Sequence, residues 1–143
     1  MTSRREARRT GLDILYQADV TGADPRAVLD AWLESGRAVA AFARELVEGV
    51  ADRLPEIDLL LEERSEGWTV SRMAALDRSI LRLAVYELLH RPDVPPSVAI
   101  SEAVEAASDL SAEGSPRFVN GLLGRIAGEL RPAGAPEPGA AST

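Results

Sequence analysis

Apolar residues recur along most of this chain at spacings of three and four residues, the period of an amphipathic α-helix. The first such segment follows Ser3 and Glu6, which match a capping box, and it places Leu12, Leu15 and Tyr16 on one face. No segment alternates apolar and polar residues as a half-buried strand would. The pattern therefore predicts an all-α protein of about seven helices with short connections. Their expected ranges are 3–22, 24–36, 39–50, 57–67, 72–90, 98–110 and 113–130.

The fifth of these segments, residues 72–90, is the most hydrophobic part of the sequence. Apolar side chains cover most of its helical circumference, which predicts a central, buried helix. After residue 131 the sequence consists of Pro, Gly, Ala, Ser and Thr with one Glu, a composition typical of disorder. We therefore expect one domain over residues 1–131 and a disordered tail over residues 132–143.

The composition excludes several kinds of functional site. The chain has no cysteine, so it has no disulfide, no thiolate metal site and no cysteine nucleophile. Glu87 and His90 form a Glu-x-x-His pair, which is half of a di-iron signature, but the chain has one histidine in total. The start of the chain lacks the apolar core of a signal peptide, and no run approaches a membrane span. We expect a cytoplasmic, non-enzymatic protein with no cofactor, no metal and no membrane contact.

Charge is distributed unevenly along the chain. The net charge is −7, from 16 arginines and 23 acidic residues. Residues 1–9 hold four arginines and one glutamate, net +3, which leaves 12 arginines and 22 acids, net −10, in the rest. The four are Arg4, Arg5, Arg8 and Arg9. Cations at the start of a helix oppose its dipole, and like charges four residues apart repel, so this placement costs about 1 kcal/mol.

An anion from outside would relieve that cost, and single-stranded RNA is a polymer that arginine-rich helices commonly bind. Four phosphate contacts imply a salt slope of only about −3, so specific binding would need help from a second protein. The alternative is internal neutralisation, in which acids of the same chain pair with the arginines, for example Asp13 with Arg9. Glu102 and Glu105, which share a helical face, are interpreted as solvated.

The last predicted helix contains a second candidate for RNA contact. Phe118 could stack on a base and Asn120 could read a base edge, although a phenylalanine is more often part of a core. Gly124 and Gly128 lie further along the same helix, where each costs about 1 kcal/mol relative to alanine. We expect these two glycines to permit the close approach of another helix.

Four segments of the sequence together resemble a known family. They are RREARRTGLDILYQ near the start, DRSILRLAVYEL over 77–88, DVPPSVAISEAVEAA over 93–107 and RFVNGLLGRI over 117–126. In this order and spacing, over residues 4–131, they resemble the NusB family of bacterial transcription antitermination factors. The resemblance implies an all-α fold of two packed helical bundles.

The resemblance also implies a function. Family members bind the boxA element of nascent RNA together with a ribosomal small-subunit protein that acts as NusE. They do so in the RNA polymerase antitermination complex and promote transcription of ribosomal RNA operons. The residues of this chain that match RNA-contacting positions are Arg4, Arg5, Arg8, Arg9 and Phe118, with Asn120 in the same Phe-Val-Asn-Gly motif. Tyr16 and Asp77 match positions at the interface with the ribosomal protein, and Glu87 is expected to line that interface or to be structural.

Two other interpretations are considered. NusB-like domains also occur fused to ribosomal RNA methyltransferases, but this sequence contains no segment typical of a cofactor-binding α/β domain. The second is a helical protein–protein adaptor, or a homodimer that buries its arginines, without specific RNA binding.

Overall fold

Seven α-helices account for most of the structure, a computed structural model that describes residues 3–130. They are α1 (Arg4–Thr21), α2 (Pro25–Glu34), α3 (Ala41–Asp52), α4 (Leu54–Arg64), α5 (Ala75–His90), α6 (Pro96–Leu110) and α7 (Ser115–Leu130). A 3₁₀ turn, Val70–Arg72, lies between α4 and α5. No strand occurs over residues 3–130, and the prediction of an all-α protein with seven helices is confirmed. The tail expected over residues 132–143 lies outside the described residues.

The helix ends follow from local side-chain chemistry. The Ser3 hydroxyl accepts a hydrogen bond from the Glu6 backbone N–H at the start of α1, as the capping box predicts. Gly22 ends α1 in the left-handed conformation, with φ of +74°, which glycine adopts without a steric penalty. Asp24 then caps α2 by accepting from the Arg26 N–H at 2.8 Å, and Pro25 occupies the first turn. Because these signals are local, the sequence alone placed these boundaries within two residues.

Helix α5 lies at the centre of the molecule, as its apolar circumference predicts. Helices α1, α3, α4, α6 and α7 all pack against it. The first three helices pack together as one bundle, and α5, α6 and α7 form the core of the second, with α4 packed on α5 and α7. Buried apolar side chains from all seven helices form one cluster, so the two bundles share a core.

The helix α3 approaches α5 closely at one point. A Cβ placed on Gly49 would lie 2.2 Å from Cε1 of the Tyr86 ring. That distance is far inside van der Waals contact, so the packing of these two helices requires a residue without a side chain at this position.

The start of α5 differs from the expectation. The sequence predicted a helix from residue 72, whereas α5 begins at Ala75 after the 3₁₀ turn. The Arg78 guanidinium donates hydrogen bonds to the carbonyls of Val70 and Met73, at 2.9 and 3.2 Å. These bonds satisfy carbonyl groups of the turn that a continuous helix would have used internally.

The glycines of α7 also differ from the expectation. Gly124 and Gly128 were expected at a close helix–helix contact, but a Cβ at either position would meet no atom within 4 Å. Both residues are exposed. The buried face of α7 is formed instead by Val119, Leu122, Leu123 and Ile126.

Candidate nucleic-acid interface

The arginines on the first turns of α1 face a row of acids on α6. Arg5 Nε lies 3.2 Å from Oε2 of Glu102, and Arg5 Nη2 lies 2.6 Å from Oε2 of Glu105. Arg9 Nη2 lies 3.0 Å from Oδ2 of Asp109. The three acids are three and four residues apart, so they share one face of α6. The interpretation of Glu102 and Glu105 as solvated is wrong, because both bind Arg5.

These ion pairs offset the electrostatic cost that the sequence indicated at the start of α1. The hydrogen bonds that the Arg5 guanidinium donates to the Glu102 carboxylate raise the pKa of Arg5 above its ordinary value. Arg9, for which Asp13 was considered as a partner, pairs with Asp109. Half of the Arg5 side chain nevertheless remains exposed. Ion pairs of exposed side chains are weak, so a phosphate oxygen can replace a carboxylate oxygen on such a guanidinium.

Arg8 differs from its neighbours because it lies inside the protein. Its side chain is 9% exposed, and it points from α1 to Glu87 on α5, whose side chain is 1% exposed. Arg8 Nε lies 3.1 and 3.0 Å from the two carboxylate oxygens, and Nη2 lies 2.8 Å from Oε1. This bidentate pair joins the first bundle to the central helix. The sequence predicted an RNA contact from Arg8 and either an interface or a structural role for Glu87. In the structure neither charged group lies on the surface, since each is bound to the other.

The guanidinium groups of three arginines contact the ring of Phe42 on α3. The Cζ atoms of Arg4, Arg91 and Arg8 lie 4.5, 5.1 and 5.4 Å from the ring centroid. Such cation–π contacts orient an arginine without neutralising it. Arg91 also donates two hydrogen bonds of 2.9 Å to Asp93, and this pairing lowers the pKa of the Asp93 carboxyl well below its usual range. Arg4 Nη1 lies 3.6 Å from the same carboxylate and is half exposed.

The other predicted RNA contacts lie on α7. Phe118 is partly buried and Asn120 is exposed. The Phe118 ring lies beside Trp68, with centroids 6.4 Å apart and ring planes inclined by 58°. Trp68 is 54% exposed. The structure thus places an aromatic pair at this surface, and its Trp68 member had received no role from the sequence.

The predicted partner contacts lie on α1 and at the start of α5. Tyr16 on α1 is 40% exposed. Asp77 is partly buried and accepts hydrogen bonds from the hydroxyls of Ser111 and Ser115, the latter at 3.0 Å. Asp77 therefore holds the connection between α6 and α7 in place.

A continuous series of contacts connects the two candidate RNA-binding regions. Arg9 binds Asp109, and Ser111 follows two residues later at the end of α6. Ser111 donates a hydrogen bond to Asp77, which also accepts one from Ser115 at the start of α7. Phe118 follows Ser115 by about one helical turn. The arginines of α1 and the aromatic pair are thus both positioned by α6 and the start of α7.

The sequence contains one signal that predicts a partner for the α6 acids. Glu102, Glu105 and Asp109 follow the spacing of one helical face, in a chain whose first helix has basic residues at comparable spacing. Complementary faces of this kind indicate that two helices pack side by side. Nothing local in the sequence, however, distinguished Arg8 from the three exposed arginines.

Residues 3–130 contain no group of three or more histidine, aspartate or glutamate side chains arranged to hold a metal ion. Within the same residues, none of the helices has the length and hydrophobicity to cross a membrane. His90, half of the Glu-x-x-His pair, contacts Glu56 through Nε2 at 2.9 Å.

Comparison with known proteins gives one consistent family. The model of the NusB family matches residues 5–128. The chain is 51% identical over 131 residues to the transcription antitermination protein NusB of Saccharopolyspora erythraea, covering 90% of this chain and 88% of that protein. It is 48% identical to the protein of the same name from Salinispora tropica, covering 89% and 96%.

Solved structures agree with this result. The structure of T. maritima NusB matches with a TM-score of 0.81 and 37% identity, covering 90% of this chain and 92% of that one. A crystal structure of the antitermination factors NusB and NusE in complex with dsRNA matches with a TM-score of 0.76 and 27% identity, covering 88% and 96%.

Proposed function

This chain belongs to the NusB family, and we propose that it is a transcription antitermination factor that binds boxA-type single-stranded RNA. It does so with the ribosomal small-subunit protein that acts as NusE, and the pair joins the RNA polymerase antitermination complex at ribosomal RNA operons. One observation carries this proposal: 88% of the chain matches a structure in which NusB was solved with NusE in complex with dsRNA. The role is binding rather than catalysis, in keeping with the relatives named as antitermination proteins.

Two exposed arginines of α1 and the partly buried Arg9 supply the electrostatic part of RNA binding. Arg4, Arg5 and Arg9 offer guanidinium groups at one end of α1, and each can exchange its carboxylate for phosphate. Three phosphate contacts on a single strand give a salt slope of about −2. The weak slope supports the requirement for a protein partner, for which we propose Tyr16 and Asp77 as contacts. Arg8 and Glu87 contribute indirectly, by holding α1 against α5.

The test is RNA binding measured by fluorescence anisotropy. A boxA-like strand and a scrambled strand are titrated at two salt concentrations, with and without the purified ribosomal protein. We expect selective binding to the boxA-like strand that tightens when the ribosomal protein is present. Equal, weak binding to both strands that salt abolishes under every condition would contradict the proposal.

Charge reversal separates the exposed arginines from a general effect of charge. Arg5→Glu with Arg9→Glu is expected to weaken binding and to reduce the salt slope, since about 0.7 of the slope comes from each contact. Arg26→Glu with Arg44→Glu is the matched control, because these arginines lie on α2 and α3 and the net charge changes equally. Equal losses in both double variants would mean that binding follows net charge and not the α1 surface.

The adaptor interpretation has one observation in its favour. Each of the four arginines at the start of α1 already lies within 4 Å of a carboxylate oxygen. An adaptor without specific RNA binding would leave these pairs intact. Analytical ultracentrifugation of the free protein, with and without the boxA-like strand, distinguishes a homodimer from a monomer that binds RNA.

A further inference from the structure

The surface around Trp68 has features that the α1 arginines do not explain. Trp68 follows a tight turn after α4, in which Glu66 and Gly67 both have positive φ, of +50° and +91°. The Ser65 hydroxyl donates a hydrogen bond to the Trp68 carbonyl, and the Trp68 N–H is 3.4 Å from the Ser65 carbonyl. The turn therefore fixes the backbone that presents the indole. Over residues 3–130 the indole N–H has no hydrogen-bond partner.

The aromatic pair lines two hollows in the surface. One, of about 360 Å³, is lined by Trp68 and Phe118 with Arg72, Asp77 and Gly114. The other, of about 270 Å³, is lined by the same two rings with Arg117, Arg125 and Glu66. Because the two ring planes are inclined by 58°, the rings do not stack on each other. The exposed Trp68 and the hollows that both rings line leave room for a flat ligand beside the pair.

The arginines at these hollows have fewer carboxylate partners than the arginines of α1. Arg72 lines the first hollow and Arg117 the second, and neither lies within 4 Å of a carboxylate oxygen of residues 3–130. Within the described residues Arg125 has one carboxylate partner, the highly exposed Glu66 at 3.5 Å, and it also donates a hydrogen bond to the Arg64 carbonyl. The Asp77 carboxylate at the first hollow accepts hydrogen bonds from the hydroxyls of Ser111 and Ser115. An aromatic surface with guanidiniums that lack a carboxylate partner beside it, as Trp68 has in Arg72 and Arg117, is the combination that binds bases and phosphates of a single strand.

We propose that Trp68 is a base-stacking residue for single-stranded RNA, so that Trp68 and Phe118 each hold one unstacked base while Arg72 and Arg117 contact the adjacent phosphates. This inference rests on the proposed RNA binding and extends it to the turn after α4. A partner protein inserting an apolar side chain is the competing occupant, but it would leave the two arginines without anions. Glycine at positions 114 and 121 leaves the floor of each hollow open to the strand.

The two tryptophans of the chain allow a direct test. Trp32, the other one, donates a hydrogen bond to Gln17 on α1 and stacks on Arg37. In a Trp32→Phe protein all tryptophan emission comes from Trp68. We expect this emission to be quenched as the boxA-like strand is added, with the same midpoint as the anisotropy of the labelled strand. The titration is repeated with the ribosomal protein present, after that protein alone has been titrated as the reference.

Substitutions provide the second readout. Trp68→Ala is expected to weaken RNA binding about tenfold, the effect of losing one stacked base, whereas Trp68→Phe keeps most of the affinity. Leu59→Ala is the matched control, because Leu59 is an equally exposed apolar residue on α4 and is expected to have no effect. Arg72→Gln and Arg117→Gln are each expected to reduce the salt slope by about 0.7. Thermal unfolding of each variant verifies that it is folded.

The outcomes separate this inference from the proposed function. If RNA binds but Trp68 emission and the affinity of Trp68→Ala are unchanged, the stacking role is refuted and the antitermination function stands. If the ribosomal protein alone changes Trp68 emission and RNA does not change it further, the surface belongs to the protein partner and the inference is also refuted. If no RNA binds with or without that protein, the proposed function fails and this inference fails with it.

Discussion

Replacing Glu87 by glutamine is expected to destabilise the protein by about 3 kcal/mol. The substitution keeps the size of the side chain and removes its charge. Arg8 then remains inside the protein with an amide in place of a carboxylate, since no other carboxylate oxygen of residues 3–130 lies within 4 Å of its guanidinium. Breaking a buried ion pair from one side costs about 3–5 kcal/mol, and the amide oxygen still accepts one hydrogen bond, so the lower end applies.

The geometry supports a loss of this size. The pair has three N–H···O contacts of 2.8 to 3.1 Å, and both side chains are at least nine-tenths buried. Hydrogen bonds to charged groups contribute about 1.5–3 kcal/mol each, so losing the charge weakens all three together. For a domain of this length, 3 kcal/mol corresponds to a decrease of about 10 °C in Tm.

Urea unfolding followed by far-ultraviolet circular dichroism measures the change. Arg8→Met combined with Glu87→Leu is the control, because replacing both charges by apolar groups is expected to be neutral or stabilising. A loss under about 0.5 kcal/mol in Glu87→Gln would refute the reasoning, since that is the range of substitutions at ordinary surface positions.

The same double variant decides how Arg8 contributes to RNA binding. If the buried pair is structural, the folded Arg8→Met/Glu87→Leu protein binds the boxA-like strand as tightly as the unsubstituted protein. A tenfold loss of affinity in a variant of normal stability would mean that Arg8 leaves its buried site and contacts RNA directly.

Three further predictions follow from individual contacts. Gly49→Ala is expected to destabilise the protein by about 2 kcal/mol or more in urea unfolding, because the added Cβ would lie 2.2 Å from a carbon of the Tyr86 ring. Gly128→Ala is expected to stabilise the protein by about 1 kcal/mol, because the space around Gly128 is open and alanine favours the helix. The double variant Glu102→Gln/Glu105→Gln is expected to bind RNA a few-fold more tightly in anisotropy titrations, because both acids compete with phosphate for the Arg5 guanidinium. An unchanged affinity would argue against that competition. The pKa of Asp93 is lowered in the folded state by its pairing with Arg91, so its contribution to stability is present above the ordinary pKa of 3.8 and is lost only as pH falls through the lower folded value. The difference in unfolding free energy between wild type and Asp93→Asn should therefore persist at about pH 4 and diminish only at lower pH.

Some residues of the candidate site could be predicted from the sequence, and others could not. The four arginines at the start of α1 and their charge could be identified from the sequence, because a helix from Ser3 places them in the first two turns. Which of them is buried could not be identified in this way. The aromatic at position 118 could be identified, but its neighbour Trp68 received no role. Trp68 lies 50 residues earlier, and only the packing of α4 and α7 brings the two rings together.

The sequence by itself determined the number of helices, most of their ends and the identity of the central one. These properties depend on capping residues, on glycine at the end of α1 and on apolar periodicity, all of which act within a few residues of the chain. Only the tertiary structure decided which arginine is buried and which acids neutralise the others. Arg5 meets Glu102 across 97 residues and Arg8 meets Glu87 across 79. Such pairings depend on how α1 lies against α5 and α6, and that arrangement is fixed by the shared core, which no local pattern in the sequence specifies.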